Sequence, residues 1–208
     1  MNARVPVAVV AAMLWGFPAA AKEGGTMETG ANAWVVDSGG VGPVRLGRAL
    51  PRTLLPVDVG SRYFARYIAD VQPAEGFEFD TPPVRVFLAR GPFARKACSR
   101  TVEAAPDAFR DAAVRAARRG AKVDLVMVVG PGPATAEGIG VGSRLAALLG
   151  AYPDLELNPV PPTLGHDECM AMTRRVPGVY FAFESCEAAR AGAPVVRVDV
   201  WRNRLGCR

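Results

Sequence analysis

The chain holds 208 residues, half of them apolar, with 25 Lys and Arg against 20 Asp and Glu, a formal net charge of +5 and one histidine. This length suits one large domain or two small ones and supplies enough apolar residues for a core. The basic residues are almost all arginine and scattered, which reads as a solvated surface rather than a nucleic-acid footprint, and a lone histidine leaves little room for an imidazole-based catalytic set.

Residues 1–21 read as a secretory signal peptide. Met1–Arg4 is a short basic start, Val5–Phe17 an apolar run, and Pro18 with Ala19-Ala20-Ala21 a breaker and small-residue cleavage site before Lys22. The apolar run falls short of the roughly 20 residues needed to span a bilayer. The mature chain is therefore expected to be periplasmic or secreted, with no transmembrane span and with cleavage after Ala21. Residues 22–33 are Gly-rich and polar, a flexible leader.

Trp34–Val36 opens an extended segment, and Asp37-Ser38-Gly39-Gly40 is a turn signal. A helix is expected soon after Gly47, with Pro51 near its start and Pro56 ending it early. A second helix is expected over 58–71, with Tyr63, Phe64, Tyr67, Ile68 and Val71 on one face. Residues 72–83, with Pro73, Gly76, Pro82 and Pro83, read as loop, and Val84–Ala89 as a strand. Pro106–Arg119 is the clearest helix: proline at its start, Asp107 in the first turn, Arg115, Arg118 and Arg119 in the last, and Gly120 just past the end. Val123–Val129 reads as a central strand. Gly130-Pro131-Gly132-Pro133 is hinge-like punctuation. A two-turn helix follows, with Ser143 as N-cap, a buried stripe of Leu145, Leu148 and Leu149, and a stop at Gly150. Leu155–Leu157, Cys169–Thr173, Val179–Glu184 and Val195–Trp201 then read as an antiparallel meander.

One phrase occurs twice. At an offset of 95, Val44, Leu46, Gly47, Leu50 and Leu54 meet Ile139, Val141, Gly142, Leu145 and Leu149. Each copy is a short apolar alternation, a glycine turn, then leucines at helical spacing. The expected fold class is α+β in two modules, each of short helices packed on an antiparallel sheet. The first is 34–129 with a helical insertion, the linker 130–137, and the second 138–208.

Export changes how the four cysteines read. An even number in an oxidising compartment suggests two disulfides, with three connectivities open. The absence of any C-x-x-C pair makes structural zinc a poor fit. The favoured pairing is Cys169–Cys186 within the second module and Cys98–Cys207 tying the chain end to the first.

The chemical motifs are thin. Gly138-Ile139-Gly140-Val141-Gly142-Ser143 precedes a helix, but its spacing is not the dinucleotide fingerprint and no lysine follows, so a turn is the better reading and no cofactor is assigned. His166-Asp167-Glu168-Cys169 packs four potential ligands together. In a strand only two share a face, fewer than a zinc site needs, so no metal site is assigned. No G-x-S-x-G elbow holds any of Ser38, Ser61, Ser99, Ser143 or Ser185. The acid pairs Glu78/Asp80 and Asp167/Glu168 read as solvated, and no catalytic residue is assigned. Trp201, flanked by Arg197, Arg202 and Arg204, could anchor a partner.

The phrase Gly138–Ser143 with Leu145 and Leu149, followed by a meander, resembles the BamE-like (SmpA/OmlA) envelope fold, in which a short helix or helix pair packs on a three-stranded antiparallel sheet. A tandem, exported, four-cysteine arrangement is similar to that of the β-lactamase inhibitor proteins. Arg48 stands where Ser or Thr is usual, and a lipobox is missing. The resemblance implies binding rather than catalysis. The expected role is that of a non-enzymatic envelope or secreted protein acting by protein–protein contact. The alternative is an exported hydrolase or metal-dependent enzyme using His166–Cys169. Weak contact with anionic envelope polymers, through Arg115, Arg118, Arg119 and Lys122, is a further expectation.

Overall fold

A computed structural model describes residues 34–55, 61–68, 72–89, 91–93, 106–160 and 168–201. Three two-residue strands, β1 (Val36–Asp37), β2 (Gly40–Val41) and β3 (Val44–Arg45), form a small antiparallel sheet. Its first turn is closed by Asp37, whose carboxylate accepts the Gly39 N–H at 2.6 Å and a bond from the Arg45 guanidinium at 2.8 Å.

The main sheet has eight strands: β4 (Ser61–Ile68), β5 (Gln72–Asp80), β6 (Pro83–Leu88), β7 (Val123–Val128), β8 (Glu156–Pro159), β9 (Cys169–Met172), β10 (Val179–Phe183) and β11 (Arg197–Trp201). All neighbours are antiparallel, in the order β4-β5-β6-β7-β11-β10-β9-β8. The four C-terminal strands follow the meander read from the apolar alternation. At the centre β7 and β11 pair from Val128↔Val198 to Leu125↔Trp201, so chain on both sides of the Gly-Pro punctuation contributes to one sheet.

Among the described residues, three complete helices accompany it: α1 (Arg110–Arg118), α2 (Leu145–Ala151) and α3 (Cys186–Arg190). One face of the main sheet carries the core. Phe77, Val84, Val86, Val126, Val128, Phe181, Phe183, Val198 and Val200 meet Val36, Val41 and Val44 of the small sheet, Ala113 and Ala117 of α1, Leu148 of α2 and Ala189 of α3. The α1 alanines leave little side-chain bulk between helix and sheet, as expected. A 3-10 turn, Pro106–Phe109, precedes α1 and lies against β4. The helix closes with Gly120 N–H on the Ala117 carbonyl (3.0 Å) and Ala121 N–H on that of Ala116 (2.9 Å), the paired bonds of a Schellman motif.

Several expectations are corrected. Residues 61–68 form a strand, where a helix was expected over 58–71. Tyr63 packs on the core face and Phe64 on the opposite one, and the aromatic content suits a pleated surface. Gln72–Asp80 is a strand within the stretch read as loop; Phe77 and Phe79 alternate inward, and the proline and glycine did not break it. Gly76 has a sheet role: a Cβ there would collide with the Val86 carbonyl oxygen, so the close approach of β5 to β6 requires glycine. Where a helix was expected after Gly47, the described residues form a single 3-10 turn, Arg52–Leu54, with Pro51 at its N-cap; Pro56 lies outside the described residues. Ser143 does not cap α2. Arg144 is the N-cap and makes no side-chain bond, while the Ser143 hydroxyl accepts from Gly140 N–H at 3.1 Å. Leu149 is not in the buried stripe, being 46% exposed; Leu148 is buried as expected, and Tyr152 joins it.

Gly47 and Gly142, the matching glycines of the two phrases, have φ of +72° and +93°. Both lie in the left-handed region, where a Cβ is disfavoured.

Candidate functional site

Because side chains alternate across a strand, the face of the main sheet turned away from the core is set by the register. One row crosses all eight strands in register. Arg62, Glu78, Arg85 and Met127 lie on β4 to β7. Asp199, Tyr180, Met172 and Glu156 continue it on β11, β10, β9 and β8. Near its middle, Ala74, Phe87, Leu125 and Met127 form a small buried cluster with Phe64, Val129 and Trp201 packed against it. Phe64 and Phe87 meet at 4.8 Å, edge to face, across Gly76. Toward β8 the surface opens: Trp201, Tyr180, Met170 and Met172 are half-buried and Glu156 is exposed.

A charge triad sits in this open half. Arg197 Nε donates to both Asp199 oxygens (2.8 and 3.1 Å), and its two terminal nitrogens donate to the two Glu168 oxygens at 2.8 and 3.0 Å. Arg197 lies on β11 and Glu168 at the start of β9, with β10 between them. The residue paired with both Arg197 and Met170 is Ala182, small enough for the guanidinium to cross above it. Burial pushes the Asp199 carboxyl above its usual range, against the pull of Arg197. Burial also works against the Arg197 charge, but the Glu168 and Asp199 carboxylates outweigh it and hold the guanidinium more firmly protonated than usual. The two directions do not conflict. Asp199 is only 5% exposed and shares its single cation with Glu168.

Beside the triad, Tyr180 and Trp201 pack edge to face with ring centres 5.6 Å apart. Tyr180 also lines a cleft of about 270 Å³ at the β9–β10 turn, together with Met172, Gly178, Asp154, Glu156 and Arg174. Asp154 is tied into the turn by the Thr173 hydroxyl (2.8 Å) and the Arg174 N–H (3.0 Å). The Thr173 bond, opposed by some burial, holds its carboxyl below the usual range.

The other sequence candidates scatter. Cys169 and Cys186 form a disulfide joining β9 to the first residue of α3, and Cys169 is fully buried on the core face. Cys98 and Cys207 lie outside the described residues, as do His166 and Asp167. Of the four-residue ligand motif, the two described members are thus committed elsewhere, Glu168 to Arg197 and Cys169 to Cys186. Among the described residues, no group of three or more His, Cys, Asp and Glu is placed to hold a metal ion. Glu78 is bonded to Arg62 and Arg85, and Asp80 to Arg62, so this acid pair faces cations. The Gly138–Ser143 loop folds as a turn pinned at both ends: Thr135 Oγ1 accepts from Ile139 N–H at 3.3 Å, and Gly142 N–H reaches the Val195 carbonyl at 2.9 Å.

Two buried polar features escaped the sequence reading. Glu75, fully buried on the core face, accepts the Tyr63 hydroxyl and the Phe93 N–H, both at 3.0 Å. Tyr152, fully buried behind α2, donates to Glu137 at 2.6 Å and also bonds the Thr135 hydroxyl at 2.8 Å. Burial, then the Glu137 bond, pushes its phenol up to about 12. Single polar residues within apolar stretches, such as Glu75 between Ala74 and Phe77, are the only local hint of such positions. Among the described residues, no helix is long and apolar enough to cross a membrane.

Comparison with protein-family models, with curated proteins and with solved structures gives no match.

Proposed function

We propose that the chain is a tandem duplication that works, after export, as a non-enzymatic binder of another protein through the open half of its sheet face. Several correspondences support the duplication. The offset of 95 between the two phrases persists into β6 and β10, where Val84, Val86 and Leu88 match Val179, Phe181 and Phe183, all buried on the core face. In each half a helix, α1 or α3, separates the third strand from the fourth. Gly47 N–H binds the Val123 carbonyl (2.7 Å) and Gly142 N–H the Val195 carbonyl (2.9 Å), each at the approach to its half's last strand. The strand order β4-β5-β6-β7 followed by β11-β10-β9-β8 is what a pseudo-twofold between β7 and β11 would produce. The BamE-like resemblance stays within this proposal, as does cleavage after Ala21.

The observation that carries the binding reading is the half-buried Trp201–Tyr180 pair, with Met170 and Met172 beside it and the charge triad fixing the strand ends around it. Aromatic residues and methionine are enriched at interface centres, and a rigid aromatic pair loses little entropy on docking. Cleavage chemistry has no comparable support, since Glu168 and Cys169 of the ligand motif are already engaged. The test is affinity capture from the envelope fraction, followed by reconstitution of the complex from two purified proteins. Trp201→Ala should weaken that complex by at least about tenfold, the range of a hot-spot residue. Unchanged affinity for Trp201→Ala and Tyr180→Ala together would remove the face from consideration.

A further inference from the structure

The end of α1 carries a cluster of cations remote in sequence from the Trp201 face. Arg115, Arg118, Arg119 and Lys122 are all exposed. Arg48 joins them through the backbone: the Val123 N–H donates to its carbonyl at 2.9 Å, and the next residue, Ala49, bridges Lys122. Arg45, Arg62, Arg85, Arg175 and Arg197 each meet a carboxylate within 4 Å, whereas among the described residues these five cations meet none, as is also true of the dispersed Arg52, Arg144, Arg174 and Arg190. Between Arg110 and Lys122 the only acidic residue is Asp111, in the first turn of α1.

Basic residues in the last turn of a helix are favoured by its dipole, which accounts for Arg115 and Arg118. It does not account for Lys122 and Arg48, which lie beyond the helix. Like charges three and four residues apart repel, so the grouping costs a little stability where it stands. Arg115, Arg118 and Arg119 share one side of α1 by their spacing of three and four, Lys122 follows just past its end, and the backbone of Arg48 lies beside that of Val123. Five exposed cations spread over a helix end and the segment beside it can engage successive charges of a chain, where a single small anion would meet one or two. Four of the five are arginine, whose planar fork matches phosphate oxygens two at a time. The stretch 110–122 has no aromatic side chain on which a nucleobase could stack. We infer that Arg48, Arg115, Arg118, Arg119 and Lys122 form a binding site for a linear phosphate-bearing polyanion.

The test uses the full chain and long-chain inorganic polyphosphate. Binding is expected to weaken steeply as salt is raised, because exposed charges are screened within a Debye length of about 10 Å at 0.1 M. The double variant Arg115→Glu/Arg118→Glu should weaken it by at least about thirtyfold, taking about 1 kcal/mol per basic residue facing an anionic surface. Arg174→Glu/Arg190→Glu removes the same charge elsewhere and should change affinity by less than about twofold, since single exposed charges act weakly. Four results would each overturn the inference. They are equal weakening by the control variant, displacement of the polymer by orthophosphate at the same phosphate concentration, and tighter binding of either single-stranded DNA or anionic phospholipid vesicles than of polyphosphate.

Discussion

Replacing Arg197 by methionine should be among the most damaging single changes to the open half of the sheet. The side chain keeps much of its length and apolar stem, so packing is largely conserved and the loss is electrostatic. Asp199 is 5% exposed, and both of its carboxylate oxygens accept from Arg197 Nε. Without that cation it is a buried carboxylate facing Met127 and Tyr180 across its strand neighbours. Removing one partner of a buried pair typically costs about 3–5 kcal/mol. Glu168, about a quarter exposed, can rehydrate and adds less. The expected loss at neutral pH is about 3–4 kcal/mol, or a fall in Tm of roughly 6–16 °C for a chain of this size. Urea denaturation at two pH values is the assay. The Asp199 carboxyl is already raised in the folded state, so its ionised form disfavours folding as pH rises from the unfolded value of 3.8 through the raised one. The variant raises it further, so its deficit against the parent should shrink on acidification. Arg197→Met combined with Asp199→Leu should recover most of the loss, because an apolar replacement of a buried pair is often neutral. A deficit below about 1 kcal/mol for the single variant, or no recovery in the double, would refute the burial argument.

Gly47→Ala and Gly142→Ala should each cost about 1–2 kcal/mol by chemical denaturation, since both residues have positive φ and open space around a new Cβ. Markedly unequal costs would weaken the equivalence of the two phrases. Replacing Cys169 and Cys186 together by alanine opens a loop of sequence separation 17 and should lower stability by about 3 kcal/mol, with the far-ultraviolet circular dichroism spectrum kept. Tyr152→Phe should remove an alkaline dependence. A phenol raised to about 12 stabilises the fold fully below its unfolded value of 10, and that contribution fades as pH rises through 12. Denaturation midpoints between those pH values should therefore slope downward in the parent more steeply than in the variant.

The legibility of the fold differed between the two ends of the chain. Val196, Val198 and Val200 alternate with Arg197, Asp199 and Trp201, and a period of two with one apolar face admits only a half-buried strand. At 61–68 the apolar residues Tyr63, Phe64, Tyr67 and Ile68 recur at spacings that suit a helix as well as a strand. What decided the matter was the pairing with β5, opposite Glu78 and Phe77, which lies in another segment. Pro73 and Gly76 hid β5 because their local meaning is punctuation, whereas Gly76 serves a close strand approach. Trp201 and Arg197 were legible as a possible anchor. Glu168, 29 residues earlier, was not legible as the arginine's partner, because the link depends on Ala182 in the intervening strand. With export assumed, Cys169–Cys186 was the favoured one of three open connectivities, since both cysteines fall in the C-terminal half.

The central pairing of β7 with β11 bears on how the chain is assembled in time. β7 is complete at Val128, but its neighbour does not begin until Arg197, after two helices and three further strands. As the chain is synthesised from its N-terminus, one side of Val126–Val128 must wait with unpaired amides and a wholly apolar sequence. Such a waiting edge is a template for misassociation with other chains. Closure of the seam is therefore the step at which a holding chaperone would matter most, and conditions that slow delivery of the last strand should favour aggregation over native protein.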